Sequence, residues 1–257
     1  MEYGLIGERL GHSYSKQIHA ELADYLYELT PLTREEFPVF MEKKEFKAIN
    51  VTIPYKCEVI PYLDEMDPLA KQIGAVNTIV NRKGKLYGYN TDYYGFLYLL
   101  YKNGISVGGK KILVLGNGGA AQPVFLALNR EGAKEVFTVK YKEEPGTITY
   151  AKAAKEHADA EIIINASPVG MFPNVDATPI DLSPYQNLFA AVDIIANPLE
   201  TKFLREAKMA GAKTAGGLSM LVAQAKYAAE YFLDIKIDDK IIPSIEEKIA
   251  ASMQGTE

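Results

Sequence analysis

One cysteine, three histidines and no tryptophan in 257 residues leave little material for several kinds of chemistry. A single cysteine forms no internal disulfide framework and no cysteine-rich zinc site. His12, His19 and His157 do not pair at a metal-ligand spacing such as H-E-x-x-H. Nor does any run approach the ~20 consecutive apolar residues of a membrane helix. Charge of one sign is also scarce: 28 Lys plus Arg stand against 33 Asp plus Glu, a net of −5, with no long basic run. That balance argues against a nucleic-acid or anionic-membrane surface. The opening MEYGLIGERLGHSYS lacks the basic stretch and apolar run of a secretory signal, so a cytoplasmic protein is expected.

What is present has globular proportions, 48% hydrophobic and 24% charged, with enough chain for one large domain or two modest ones. Short apolar runs alternate with longer amphipathic segments, the pattern of α/β layering. Strands are expected at Tyr3–Ile6, Ala48–Ile53, Lys111–Leu115, Glu135–Val139 and Glu161–Asn165, with another inside Leu188–Ile195. Val76–Asn81 and Lys85–Gly88 flank a turn at Arg82-Lys83-Gly84 and read as a hairpin. Helices are expected over Gln17–Leu29, Tyr93–Asn103, Ala120–Glu131, Ala151–His157, Thr201–Ala210 and Leu218–Leu233. Shorter ones fit Glu58–Leu63 and Asp67–Ile73.

ILVLGNGGAAQPVFLAL reads as a strand, a glycine turn and a helix start. Its spacing, Gly116-x-Gly118-x-x-Ala121, is a dinucleotide-binding fingerprint in the required context. Gly116 permits the tight turn, Gly118 lets backbone N–H groups approach a pyrophosphate, and Ala121 allows close helix–strand packing. The plainer alternative is a tight turn that binds nothing. After the next strand stand Lys140 and Lys142, which favour a 2′-phosphate and hence NADP, with Glu143 and Glu144 beyond them. Those glutamates could face a ribose hydroxyl instead, which would suit NAD.

Further motifs follow in a fixed order. HSYS (His12 to Ser15), NVTIPYK (Asn50 to Lys56), GAVNT (Gly74 to Thr78) and GYNTD (Gly88 to Asp92) precede GNGGAA. NASPVGM (Asn165 to Met171), NPLETKFL (Asn197 to Leu204) and GLSMLVAQA (Gly217 to Ala225) come after it. With these segments the chain resembles the shikimate dehydrogenase family over nearly its whole length. The resemblance implies an α/β fold of two domains with a cleft between them. One is an N-terminal α/β substrate domain, residues 1–104, completed by C-terminal helices over 217–257. The other is a Rossmann-type dinucleotide-binding domain over 105–216. It also implies reversible reduction of 3-dehydroshikimate to shikimate, with hydride from NADP, by a monomer or homodimer whose partners are small molecules.

Residue by residue, the resemblance makes Lys56 and Asp92 the catalytic pair. Hydride arriving at a ketone carbon leaves an alkoxide, so an ammonium that polarises the oxygen and delivers a proton lowers the barrier. The alternative is a surface lysine and a helix-capping aspartate. Ser13, Ser15, Thr52, Asn77 and Gln224 join the pair as substrate contacts. Ser13 and Ser15 can reach one carboxylate together if their segment is extended. Asn and Gln both donate and accept, which suits hydroxyl groups. In a plainer reading these polar residues cap helices or satisfy backbone. The cofactor set is Gly116, Asn117, Gly118, Gly119, Ala120, Ala121, Lys140, Lys142, Ser167 and Gly217, and no metal is implied.

The chain also departs from the family. Lys140-Tyr141-Lys142 stands where an Asn-Arg-Thr-like segment is usual, Lys16 replaces a proline, Tyr93 a glycine and Ala196 a tyrosine. A quinate or mixed-specificity enzyme using NAD, or a non-catalytic sensor for shikimate-like acids, is the alternative these leave. Cys57, beside Lys56, reads as a small packed thiol.

Overall fold

A computed structural model describes residues 1–11 and 13–254, so His12 of the HSYS segment and residues 255–257 lie outside it. The chain divides into two compact units. Met1–Tyr94 with Val222–Ala251 forms the first, and Gly95–Leu221 with the chain's end from Ser252 forms the second. The three divisions all fall within helices, α4 (Asp92–Lys102), α8 (Leu218–Leu233) and α9 (Ile241–Gln254).

The first unit holds a six-stranded mixed sheet. Its strands are β1 (Tyr3–Gly7), β2 (Tyr27–Pro31), β3 (Ala48–Val51), β4 (Glu65–Met66), β5 (Thr78–Arg82) and β6 (Lys85–Tyr89), in spatial order β2-β1-β3-β5-β6-β4. β1 runs parallel to β2 and β3, whereas β5 is antiparallel to β3 and to β6. Neighbouring residues of one strand serve opposite faces, as the two-residue period requires. Ile6, Ile49 and Ile79 join a core with Phe37, Met41 and Tyr55, while Leu5, Ala48 and Val80 pack with Ala228 and Phe232 of α8.

The expected helix over Gln17–Leu29 is corrected: α1 spans Ser15–Leu22, and the rest of the segment contains β2. Ala23 turns fully extended (φ −166°, ψ 161°) and ends the helix. The helical spacing counted Leu26 as an inward position, but Leu26 is 69% exposed and the buried residue is its neighbour Tyr27. Its ring stacks on His19 of α1, centroids 3.9 Å apart, while its backbone pairs with β1. Over Glu58–Leu63 only a short 3-10 turn forms, Ile60–Tyr62.

The second unit is an all-parallel sheet of β7 (Lys111–Leu115), β8 (Glu135–Lys140), β9 (Thr147–Thr149), β10 (Ile162–Asn165), β11 (Ala190–Asp193) and β12 (Lys213–Ala215). The order is β12-β11-β10-β7-β8-β9, so the chain steps outward from β7 and then reverses to the other side. β9 and β12, three residues each at the two edges, were not expected from the sequence because neither carries a usable periodicity. Ile112 to Leu115 and Ile162 to Ile164 are fully buried, the continuous apolar run of strands covered on both faces. α5 (Gln122–Arg130), α6 (Tyr150–Glu156) and α7 (Lys202–Met209) provide the crossovers. α9 (Ile241–Gln254) ends the described chain. Among the described residues no helix is long and apolar enough to cross a membrane.

Candidate active site

In the first unit Lys56 Nζ donates to Asp92 Oδ2 at 2.7 Å, with side chains only 14% and 9% exposed. Lys56 stands in the turn that follows β3. Its neighbour Tyr55 is fully buried, stacks on Phe37 at 4.2 Å and donates its hydroxyl to Leu32 O. Lys56 O also accepts from Val76 N at 2.8 Å, so the turn is anchored on both sides of the ammonium. Asp92 is the first residue of α4, where the positive end of the helix dipole favours a carboxylate. Asn90 Nδ2 donates to Ala75 O and Thr91 N to Asn77 Oδ1, pinning the turn that presents Asp92.

Behind the pair lies a buried network of neutral polar groups. Asn77 Nδ2 donates to Thr91 Oγ1 at 3.0 Å and to Gln224 Oε1 at 3.5 Å, and Thr78 Oγ1 donates to Asn77 Oδ1 at 3.0 Å. Asn50 Nδ2 donates to Asn77 O and to Thr78 Oγ1, while Tyr27 hydroxyl donates to Asn50 Oδ1 at 2.7 Å. His19 hydrogen-bonds Asn50 and the Tyr25 hydroxyl. Complete burial pushes its imidazole down to about 3, an effect the Asn50 bond only partly offsets, so the ring is neutral at physiological pH. No site role was expected of Asn50, Thr78, Thr91, Tyr27 or His19. Asn50, Thr78 and Thr91 are themselves motif residues, but nothing in their spacing marks them as buried partners.

The structure thus joins Lys56 to Asp92 and Asn77 to Gln224 by hydrogen bonds. Thr52 follows β3, its N–H donating to Ile6 O and its carbonyl accepting from Tyr55 N. Ser13 and Ser15 are neighbours, since Ser15 N donates to Ser13 Oγ at 3.3 Å. Their segment is not extended: Tyr14 (φ −84°, ψ −1°) enters the helix and Ser15 is its first residue. Any shared reach toward a carboxylate comes from a helix-entry turn and not from strand alternation. Cys57 is exposed and not packed, because the turn faces it outward while Tyr55 takes the interior position.

In the second unit Gly116 ends β7 at φ +102°, in the left-handed region that favours glycine. A Cβ there would lie 3.1 Å from Ala166 O and 3.3 Å from Ser167 N, so the Gly116 turn packs on the turn after β10. Those two turns stand at the carboxyl ends of β7 and β10, where the strand order reverses and dinucleotides bind in doubly wound sheets. Gly118 has open space where a Cβ would be, and Ala121 N donates to Gly118 O before α5 begins. Asn117 Oδ1 accepts from Gln122 Nε2. Together with Gly119 and Ala120 this is a bare, backbone-lined turn leading into a helix, which fits a pyrophosphate.

At the end of β8, Lys140 Nζ pairs with Glu144 Oε2 at 2.6 Å, while Lys142 is exposed with no ion pair among the described residues. Tyr141 between them is 76% exposed and packs its ring 4.9 Å from Tyr150. The cations fit a phosphate, Lys142 directly and Lys140 by exchanging Glu144 for it. Gly217 packs against the turn after β11, with its N–H donating to Ile195 O, and a Cβ there would collide with Ile194 O.

Comparison with known proteins identifies similar chains. Residues 5–79 match the family model described as the shikimate dehydrogenase substrate binding domain. A shikimate dehydrogenase (NADP(+)) of Clostridium beijerinckii is 41% identical, over 93% of this chain and 94% of the relative. A crystal structure of shikimate dehydrogenase 1 from Peptoclostridium difficile is 36% identical with a TM-score of 0.90, covering 98% of this chain and 99% of that one. Shikimate 5-dehydrogenase from Thermus thermophilus, in complex with NADP(H) and shikimate, is 30% identical with a TM-score of 0.85, over 96% and 99% of the two chains.

Proposed function

The chain belongs to the shikimate dehydrogenase family, and from that premise we propose that Lys56 and Asp92 carry out the proton transfer of an NADP-dependent reduction of 3-dehydroshikimate to shikimate. The enzyme is an oxidoreductase acting on a CH–OH group, and its cofactor is NADP. The observation that carries the reading is the 2.7 Å pair itself, a lysine and an aspartate held by separate anchored turns in a largely buried position.

When bound, the cofactor supplies a hydride equivalent to the ketone carbon. Lys56 polarises the ketone oxygen and delivers one proton to it as the C–O bond becomes a single bond, which balances the reduction. Asp92 accepts a hydrogen bond from the ammonium and holds it in line. General acid help of this kind is worth ~100 to 10,000-fold. Asn77 and Gln224 offer carbonyl and amide groups to the ring hydroxyls, with Thr52 beside them, and Ser13 and Ser15 take the carboxylate. Residues 1–104 with 217–257 serve the substrate, and 105–216 serve the cofactor. There Gly116, Asn117, Gly118, Gly119, Ala120 and Ala121 receive the pyrophosphate and Lys140 and Lys142 the 2′-phosphate, while Ser167 borders the nicotinamide together with Gly217, the first residue past that stretch.

The quinate or NAD-using alternative and the non-catalytic sensor are not favoured, since the relatives are NADP-dependent shikimate dehydrogenases and the acid–base pair is intact. The proposal takes the enzyme as a cytoplasmic monomer or homodimer working on small molecules. Reduced-nicotinamide absorbance, followed with shikimate or quinate and with NADP or NAD, tests it. Shikimate with NADP should give the highest kcat/KM. Absence of turnover in all four mixtures would sink the enzyme reading.

A further inference from the structure

Asp193 ends β11 with no exposed surface, at the close of an apolar run. Its carboxylate accepts from three donors. Ile195 N donates to Oδ1 at 3.0 Å, Thr201 Oγ1 to Oδ2 at 2.8 Å, and Asn165 Nδ2 reaches both oxygens at 3.2 Å. Each partner organises a different stretch of chain. Asn165 also donates to Val169 O at 3.1 Å, and its Oδ1 accepts from Ser167 N at 3.1 Å and Ser167 Oγ at 2.7 Å. Ile195 O in turn accepts from Gly217 N at 3.0 Å. Thr201 caps α7 through Leu204 N.

The Ser167 turn fixed by Asn165 is the one against which Gly116 packs. We propose that Asp193 is a positioning residue for the dinucleotide, its single anion holding together the turns after β10 and β11 that carry Ser167 and meet Gly217. The inference rests on the reading that the second unit binds NADP. It adds a residue to which neither the sequence nor the family resemblance drew attention.

The position favours a group that only accepts. Ile195 N–H and Asn165 Nδ2 can only donate, so a carboxyl O–H finds an acceptor only if the Thr201 hydroxyl turns round. Burial pushes the Asp193 carboxyl up to about 6, and the hydrogen bonds from Ile195, Thr201 and Asn165 pull against that. An asparagine has one acceptor oxygen and an NH2 group. Thr201 can rotate its hydroxyl to accept from that group; Asn165 Nδ2 and Ile195 N–H cannot. Asp193→Asn therefore keeps the shape but leaves one oxygen to serve both Ile195 N and Asn165 Nδ2 and sets an NH2 group 3.2 Å from Asn165 Nδ2, which weakens the hold on the turn after β10.

The test measures NADPH affinity by fluorescence titration and shikimate affinity by calorimetry, on the full chain, beside a thermal melt. Asp193→Asn should raise the Kd for NADPH about tenfold or more, a factor large against measurement error, and leave the shikimate Kd within about twofold. A Thr201→Val variant removes one donor and should raise the NADPH Kd about threefold. If Asp193→Asn folds and both affinities match wild type, or if only the melting temperature drops, the positioning role is overturned. Should Asp193→Asn fail to fold, Thr201→Val decides: a raised NADPH Kd supports the role and an unchanged one overturns it. Wild-type chain that binds no NADPH overturns the functional reading beneath it, a result distinct from wild-type binding with an indifferent Asp193.

Discussion

In the first unit the strand ends and turns carry the candidate site side chains: Lys56 after β3, Asn77 before β5, Asp92 after β6. Behind them Asn50, Thr78 and Thr91 are buried and fully engaged with one another. In the second unit the corresponding strand ends offer backbone. Gly116, Gly118 and Gly217 leave room or close contact where other residues have side chains, and the strands behind them are aliphatic up to the lone carboxylate of Asp193. The difference matches what each unit is proposed to bind. A polyhydroxylated acid is recognised by side chains that donate and accept, whereas a pyrophosphate is cradled by main-chain N–H groups at a helix start. Buried polar networks specify geometry strongly only when every member is satisfied, and the first unit meets that condition around Asn77.

Substitutions can break this contrast, and the largest effect belongs to the acid–base pair. Lys56→Ala should lower kcat by ~100 to 10,000-fold and change NADPH affinity little. Equal losses in kcat and in shikimate affinity, measured by steady-state kinetics beside calorimetry, would contradict its proton-transfer role. Next comes acid stability. His19 has a folded pKa of about 3 against 6.5 unfolded, so the unfolded chain binds the extra proton between those values. The stability it lends is fully present above pH 6.5 and is lost as pH falls from there toward 3. The loss is on the order of 5 kcal/mol when complete. Chemical denaturation across that window should show a shallower slope for His19→Gln than for wild type.

The second unit is expected to fail through its backbone. Gly217→Ala places a Cβ against Ile194 O, and the overpacking should cost about 3 kcal/mol. Calorimetric unfolding should show the loss, together with weakened NADPH binding. The smallest effect is that of Tyr27→Phe, which keeps the stack on His19 and removes only the hydroxyl donated to Asn50. A loss of about 1–2 kcal/mol is expected, with NADPH affinity unchanged. If Tyr27→Phe altered NADPH affinity as much as Asp193→Asn does, the division of labour between the units would collapse.

Local patterning made much of the fold legible. Lys111–Leu115 and Leu218–Leu233 coincide with β7 and α8 because each carries one unambiguous periodicity and ends at a glycine or a capping signal. The Gln17–Leu29 segment misled because a short helix and the following strand share one apolar rhythm. Tertiary pairing with β1 decided between them. Lys56, Asp92, Asn77 and Gln224 were legible because they stand inside dense motifs. Asp193 left only a faint signal, an aspartate closing the apolar run of FAAVD. A buried partner set drawn from Asn165, Ile195 and Thr201 has no expression in sequence spacing.

By itself the sequence limited which chemistry was available: one cysteine and three histidines leave no internal disulfide framework and no cysteine-rich zinc site, and a net charge of −5 argues against a polyanion-binding surface. It also determined where the candidate dinucleotide turn and the candidate Lys–Asp pair stand, since glycine spacing and motif order are local properties of the chain. The tertiary structure alone decided which polar groups are buried together. Lys56 meets Asp92 across 36 residues, and Asn77 meets Gln224 across 147. Asp193 gathers Asn165 from 28 residues away. Hydrogen bonds of that reach arise only when sheets and helices close around them, because a buried donor must find its acceptor wherever packing brings the two within 3.5 Å.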